Sequence, residues 1–246
     1  MTTYDPRSYF SILGYQPGSE GYTCPGLRTL AVYCVGDAQQ LEKALQPTPF
    51  TLASDRFMVS VADFGNCSMG PFYDAGVVIP VTYKGHSGGH YLLEWEDQSW
   101  SIALGRELWG YPKRFADIHL DDTKTSAHAR VELRAEPLVD LHVSFDDSVT
   151  PQAWSDVSVF PHLLARATGQ PGGDSFDRFD IIRRDTSSDF ELLERHTGTG
   201  SVSFGAGASH QDGPLTVVDV LGAEYTVGNY HASKENGIPT VIDSLV

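Results

Sequence analysis

The distribution of apolar residues along the chain predicts a protein built mainly of short β-strands. Apolar, β-branched segments recur and are separated by Gly-rich or charged breaks, which is typical of antiparallel sheets. A polar–apolar alternation over 126–134 indicates a half-buried strand, and 138–145 is its expected hairpin partner. The remaining predicted strands lie at 27–35, 57–64, 77–83, 90–96, 180–184, 201–204 and 215–221.

Helical patterning is confined to two short segments. Asp37 has the character of an N-cap, and Leu41 and Leu45 would share one helical face before two prolines end the helix. A second short helix is predicted over 161–168, ended by a glycine. Many strands with few helices favour one mostly antiparallel β domain.

The chain of 246 residues shows no internal repeat and no linker. Residues 1–26 are polar and rich in Gly, Pro and Tyr, and we predict an N-terminal arm or loop there. The rest is long enough to bury one substantial core. The fold class predicted from the pattern is therefore mostly β (α+β), as a single domain over residues 1–246.

Charge and composition exclude several classes of partner. The formal net charge is −15 and there is no basic tract, which argues against nucleic acid and against an anionic membrane surface. No apolar run is long enough to span a membrane, and the N-terminus lacks a signal-peptide core. Three cysteines form no CxxC pair, which is typical of a reduced compartment. A cytoplasmic protein is the expectation.

The most informative segment is 105–114, which reads Gly-Arg-Glu-Leu-Trp-Gly-Tyr-Pro-Lys-Arg. Lys113 follows a proline and precedes Arg114, and an amine beside a fixed positive charge and short of water has a lowered pKa. A neutral amine can attack a ketone and form a Schiff base. Trp109 and Tyr111 would share the face of Lys113 in a strand, as pocket walls or as core aromatics.

This decapeptide resembles the active-site segment of the acetoacetate decarboxylase family. Weaker matches occur in the same order elsewhere, at 76–81 and at 197–204. The resemblance implies a curved antiparallel sheet forming a cone-like barrel with a few peripheral helices, and a large homo-oligomer. No dinucleotide fingerprint and no metal-ligand set is evident, so no cofactor and no metal are predicted.

The resemblance implies a Schiff-base lyase that decarboxylates a β-keto acid, acetoacetate or a larger relative, through an enamine on Lys113. Arg28 corresponds to the family's arginine at the first strand and is expected to bind the substrate carboxylate. Asp74 falls where the family has a glutamate near that carboxylate, although a turn residue fits there too. Met58 replaces the family's acidic residue after an Arg-Phe pair, which suggests a larger or more apolar substrate.

Several alternatives stay open at this stage. Arg106 and Glu107 belong to the motif, and either a contact with substrate or a structural ion pair would explain them. The same lysine would also serve an aldolase-dehydratase or cyclase acting on a keto acid. A small-molecule-binding barrel without catalysis is the alternative from another class. The Gly-x-Ser-x-Gly pattern at 85–89 is predicted to be a hairpin turn, not a hydrolase elbow.

Overall fold

The computed structural model describes residues 6–12, 21–210 and 213–246. Strands dominate, and in chain order they are β1 (Tyr22–Gly36), β2 (Thr51–Leu52), β3 (Arg56–Asp63), β4 (Tyr73–Tyr83), β5 (His86–Glu96), β6 (Lys113–Phe115), β7 (Asp117–Asp122), β8 (Ser126–Leu133), β9 (Glu136–Ser144), β10 (His162–Gly169), β11 (Phe176–Arg184), β12 (Phe190–Gly198), β13 (Gly200–Phe204), β14 (Ser209–His210), β15 (Gly213–Pro214), β16 (Val217–Ala232) and β17 (Thr240–Ser244).

The helices are short and lie between strands. They are α1 (Pro6–Ile12), α2 (Ala38–Leu45), α3 (Ser99–Leu104), a π-helical turn (Gly105–Trp109) that continues α3, α4 (Lys234–Gly237), and two 3₁₀ turns (Pro151–Trp154 and Ser187–Asp189).

Most strands form one large curved sheet in the order β12-β16-β1-β3-β4-β5-β10-β11-β17, with β2 beside β4 and β6 beside β5. A second sheet has the order β13-β9-β8-β7. The mostly-β class is confirmed. The cone-like barrel needs correction, because within the described residues the large sheet keeps two edges, β12 and β17, and does not close.

The main core lies between the two sheets. Leu30 and Val77 of the large sheet and Val131 and Leu141 of the small one belong to the same buried cluster. Successive residues of a strand point to opposite faces, so each strand of the large sheet sends alternate side chains away from this core. Such side chains from β1, β3, β5 and β16 line a cavity on the other side of the sheet.

Local sequence signals predicted several elements correctly. The Asp37 carboxylate accepts a hydrogen bond from the backbone N–H of Gln40 at 2.9 Å, which caps α2 as expected. Strands β8 and β9 form the predicted hairpin. Strands β4 and β5 form another, turning at Lys84 and Gly85 with positive φ, so the Gly-x-Ser-x-Gly pattern is part of a hairpin and not an elbow.

The structure differs from the sequence expectations in three places. The helix predicted over 161–168 is strand β10, which pairs with β11 and touches β5. Strand β12 was not predicted at all. Of the N-terminal arm predicted over 1–26, residues 6–12 form α1 and residues 22–26 belong to β1. The rest of that arm, apart from residue 21, lies outside the described residues.

Candidate active site

A cavity of about 450 Å³ lies on the face of the large sheet opposite the main core. Side chains from β1, β3, β4 and β5 form its floor, and α3, the π-helical turn and the strands β10 to β12 contribute further walls. Five of the residues predicted from the sequence line this cavity: Met58, Asp74, Trp109, Tyr111 and Lys113.

Lys113 is buried in this cavity, with 8% of its surface exposed. Strand β6 runs parallel to β5 and places Lys113 opposite Glu94. Its Nζ donates a hydrogen bond to the carboxylate of Glu96. It also lies 3.4 Å from Oδ2 of Asp74 and 3.5 Å from Oε1 of Glu94. One ammonium therefore meets three carboxyl groups.

The protonation of Lys113 differs from the sequence expectation. Burial acts to lower the pKa of Lys113, but the adjacent Glu96, Glu94 and Asp74 outweigh it and raise the pKa well above its usual value. Arg114 is exposed and does not line the cavity, since the alternation of strand β6 turns it away from Lys113. The predicted lowering of the pKa by Arg114 is therefore wrong.

The two glutamates of β5 hold protons more strongly than ordinary carboxylates. Burial raises the pKa of Glu94 far above its usual range, against the attraction of Lys113. Burial also raises the pKa of Glu96 to about 7, although Lys113 and the hydroxyl of Ser101 stabilise its charged form. Among the described residues, Oε2 of Glu94 has no hydrogen-bond partner. The cluster can thus exchange protons near neutral pH.

The glycine that opens the decapeptide makes room for the lysine stem. A Cβ placed on Gly105 would lie 2.5 Å from both Cδ and Cε of Lys113 and 3.3 Å from its Nζ. The π-helical turn then ends at Gly110, which has a φ of 79°. A side chain there would be strained and would also meet the backbone of Arg166 at 2.9 Å.

Next to the lysine lies a polar and aromatic cluster centred on Tyr111. The Tyr111 hydroxyl accepts a hydrogen bond from Nη1 of Arg184 at 3.0 Å and lies 2.7 Å from Nδ1 of His162. Burial, together with the charges of Arg184 and Lys113, lowers the pKa of His162 to about 3. His162 is therefore neutral, so its Nδ1 can accept a hydrogen bond from the Tyr111 hydroxyl. Trp109 stacks on the Arg184 guanidinium, with Cζ 4.4 Å from the ring centroid.

Away from the lysine the cavity is lined mostly by apolar and aromatic side chains, among which the Arg195–Glu224 ion pair is the charged group. Met58 packs against Ala31 and Tyr33, and Tyr33 stacks on Trp154 with ring centroids 4.7 Å apart. Many aromatic side chains line the cavity: Tyr22, Tyr33, Phe64, Phe72, Tyr91, Trp100, Trp109, Tyr111, Phe160, Phe190 and Tyr230. The cavity thus joins a charged end around Lys113 to a largely apolar and aromatic end.

The structure places three predicted site residues elsewhere. Arg28 does not line the cavity, because Leu27 and Thr29 on either side of it do. Its guanidinium binds the carboxylates of Asp63 and Asp122 on the other face of β1. Glu107 is exposed on the π-helical turn and does not line the cavity, and neither does Arg114.

Sequence reasoning missed five charged residues that line the cavity: Glu94, Glu96, Arg184, Arg195 and Glu224. Glu94 and Glu96 stand two apart in the otherwise apolar segment His90–Glu96, and a same-face pair of carboxylates in such a strand was a usable signal. Arg184 is the second of two arginines that follow the apolar pair Ile181–Ile182, and the sequence does not show which of the two faces the cavity. Among the described residues, no group of His, Cys, Asp and Glu has the arrangement of a metal site.

Comparison with known proteins shows the family of this chain. A family model described as acetoacetate decarboxylase matches residues 14–235. The chain belongs to the acetoacetate decarboxylase family. An acetoacetate decarboxylase from Paraburkholderia xenovorans (strain LB400) is 46% identical over 165 residues, a match that spans 65% of this chain and 63% of that protein.

Two solved structures illustrate the shared fold. The acetoacetate decarboxylase from Legionella pneumophila has a TM-score of 0.76 at 16% identity, covering 94% of this chain and 91% of its own. The enduracididine biosynthesis enzyme MppR, complexed with pyruvate, has a TM-score of 0.70 at 17% identity, covering 93% of this chain and 91% of its own.

No described helix is long and apolar enough to cross a membrane.

Proposed function

We propose that this protein is a Schiff-base lyase that decarboxylates a β-keto acid through Lys113. The observation that carries the proposal is the burial of Lys113 among Glu96, Glu94 and Asp74 at one end of a large cavity. Membership of the acetoacetate decarboxylase family supports the reaction type.

The first step is a proton transfer inside the cluster. Schiff-base formation needs a neutral amine, and the raised pKa of Lys113 shows that the charged form dominates before substrate binds. Glu96 hydrogen-bonds to that amine and is ionised above its pKa of about 7, so it is the base placed to take the proton, in a transfer that runs uphill from the more basic amine. Excluding water from the cavity favours this transfer, because a neutral pair is easier to bury than two charges.

The amine of Lys113 then attacks the ketone carbon, and the ketone oxygen leaves as water. The C–C bond to the carboxylate breaks, and its electron pair moves toward the iminium nitrogen to give an enamine and carbon dioxide. The α-carbon then takes a proton, which protonated Glu94 or Glu96 can supply, since both hold a proton at unusually high pH. Asp74, 3.4 Å from Nζ, helps to orient the amine. Water finally hydrolyses the iminium and releases the ketone.

The cavity suits a substrate larger than acetoacetate. Its volume of about 450 Å³ is in the range of sites for drug-sized ligands, roughly 300–1,000 Å³. Met58 and the surrounding aromatic rings offer an apolar surface where a family decarboxylase has an acidic residue. We therefore place an apolar side chain of the β-keto acid at this end.

Borohydride reduction followed by peptide mass spectrometry tests the proposal. Incubation with acetoacetate or a longer β-keto acid should leave a reduced adduct on the peptide carrying Lys113. The variant Lys113→Arg should lose both the adduct and carbon dioxide release. Lys84→Arg, a change at an exposed lysine paired with Asp243, is the matched control and should retain both. Full activity of Lys113→Arg would overturn the proposal.

A second candidate is an aldolase-dehydratase or cyclase that uses the same lysine. The fold of this chain is similar to that of MppR, which was solved with pyruvate, a keto acid. At 17% identity this similarity concerns the fold, and it is the reason for naming the second candidate. Adduct formation on Lys113 without carbon dioxide release would favour this reaction. A cytoplasmic homo-oligomer remains a prediction, which gel filtration with light scattering would check for subunit number.

A further inference from the structure

Arg184 is a buried cation without a protein counter-ion in the described chain. It is 7% exposed, and its Nη2 has no hydrogen-bond partner among the described residues. Its Nη1 donates to Tyr111, and its Nε lies 3.3 Å from the carbonyl oxygen of Gly237. Neither acceptor carries a charge. A buried guanidinium normally has an anionic partner, because removing it from water is costly.

The other cations that line the cavity are already paired. Lys113 meets three carboxyl groups, and Arg195 forms an ion pair with Glu224 at 3.0 Å. His162 is neutral. Within the described residues, Arg184 is therefore the cavity cation left to meet an incoming anion.

Arg184 and Lys113 contact the same aromatic ring in the cavity, so an anion-binding group and the reacting amine share one end of it. The Tyr111 ring lies against both groups, with its centroid 5.2 Å from Nζ of Lys113 and 5.9 Å from Cζ of Arg184. A guanidinium offers two parallel N–H donors to a carboxylate, and here one face of it is fixed by Trp109. The hydrogen bond to Tyr111 fixes its direction.

From this arrangement we propose that Arg184 is the carboxylate anchor of the site. It binds the substrate carboxylate with Nη2 while Lys113 attacks the ketone, the role that the sequence suggested for Arg28. This proposal rests on the proposed function for the attack by Lys113, but the binding of a carboxylate at Arg184 does not depend on that reaction. The same contact with Arg184 would bind the carboxylate that a decarboxylase removes or the carboxylate that an aldolase-like enzyme keeps.

The first experiment compares ligands with and without a carboxylate. Arg184→Gln should reduce borohydride trapping of acetoacetate roughly 10- to 100-fold, because a hydrogen-bonded ion pair is lost. Trapping of acetone should stay within about twofold. Pyruvate serves as a third ligand, and carbon dioxide release shows whether the anchored carboxylate leaves or stays. Arg183→Gln is the matched control, since its side chain is 41% exposed, pairs with Asp185 and belongs to the opposite face of β11.

A second measurement keeps this proposal separate from the Schiff-base reaction. Calorimetric titration with butyrate, which has no ketone, should show binding to the wild-type protein and to Arg183→Gln. Binding to Arg184→Gln should be weaker by a similar 10- to 100-fold factor, and Arg184→Lys should restore part of it because it keeps the charge.

The anchor is overturned if Arg184→Gln traps acetoacetate and binds butyrate like the wild type. It is also overturned if acetone and acetoacetate trapping fall equally in both Arg184→Gln and Arg184→Lys. Absence of any adduct on Lys113, combined with butyrate binding that depends on Arg184, would reject the lyase and retain the anchor.

Discussion

Replacing Gly105 with alanine should separate activity from stability. The new Cβ would lie 2.5 Å from Cδ and Cε of Lys113, whereas non-bonded carbons rest at about 3.5–4.0 Å. The stem of Lys113 must therefore move by about 1 Å. A displacement of that size at a reacting group costs roughly 100-fold in rate. We expect kcat/KM for decarboxylation to fall by about that factor.

The same change should leave the fold intact. The atoms that must move belong to a flexible side chain, and Gly105 has helical dihedral angles, φ −63° and ψ −43°. Alanine in a helix is more stable than glycine by about 0.5–1 kcal/mol. Thermal unfolding should therefore show a Tm equal to that of the wild type or higher by up to about 3 °C.

Kinetics, borohydride trapping on Lys113 and thermal unfolding together check this prediction. Gly169→Ala is the matched control, because the nearest atom to its new Cβ is the Ser175 carbonyl oxygen at 4.0 Å. It should leave kcat/KM unchanged. Wild-type kcat/KM in Gly105→Ala would refute the reasoning, as would a lost activity that merely follows a large drop in Tm.

Three further variants test the proton exchange and the apolar end of the cavity. In the wild type, the rate should rise as the pH increases through about 7, because Glu96 must lose its proton before it can accept one from Lys113. In Glu96→Gln the pH–rate profile should lose this rise, and the rate should fall by about 100-fold or more. Arg114→Gln should leave the pH–rate profile unchanged and kcat within about twofold of the wild type, because the side chain is exposed and outside the cavity. A shift of the acid side of the profile to higher pH would instead support the role that the sequence suggested for Arg114. Met58→Trp should lower kcat/KM about 10-fold for long-chain β-keto acids and much less for acetoacetate, measured by carbon dioxide release; equal losses would contradict an apolar end at Met58.

Features with local causes could be predicted from the sequence. The N-cap at Asp37 and the hairpin at Lys84 and Gly85 depend on residues within a few positions of one another. Lys113 was named as the candidate Schiff-base lysine through its family motif, and it lines the cavity. By contrast, 161–168 contains good helix formers such as Leu163 and Ala165, and the strand forms because pairing with β11 outweighs that local preference.

The errors at the site concern the face of the strand on which a side chain lies and the contacts it makes with residues distant in sequence. Whether Arg28 faces the cavity depends on a shift of one residue along β1, and sequence spacing alone does not determine which face is which. Arg184 reaches the site only because β11 lies two strands from β5 in the sheet. The pKa of Lys113 was misjudged for a related reason, since its nearest charges in space are those of β5 and not its neighbour in sequence.

The parallel pairing of β5 with β6 has a mechanical consequence. Glu94 lies opposite Lys113 in this pairing, and Glu96 lies opposite Phe115, so the proton donor and its acceptors are attached to two hydrogen-bonded backbones. When the large sheet bends or twists, these backbones move as a unit, and the distance from the amine to the carboxylates changes little. Other walls of the cavity can therefore move when substrate binds, while the distances between Lys113, Glu94 and Glu96 stay nearly constant. Redesign of the cavity for new keto acids is best confined to walls outside this strand pair.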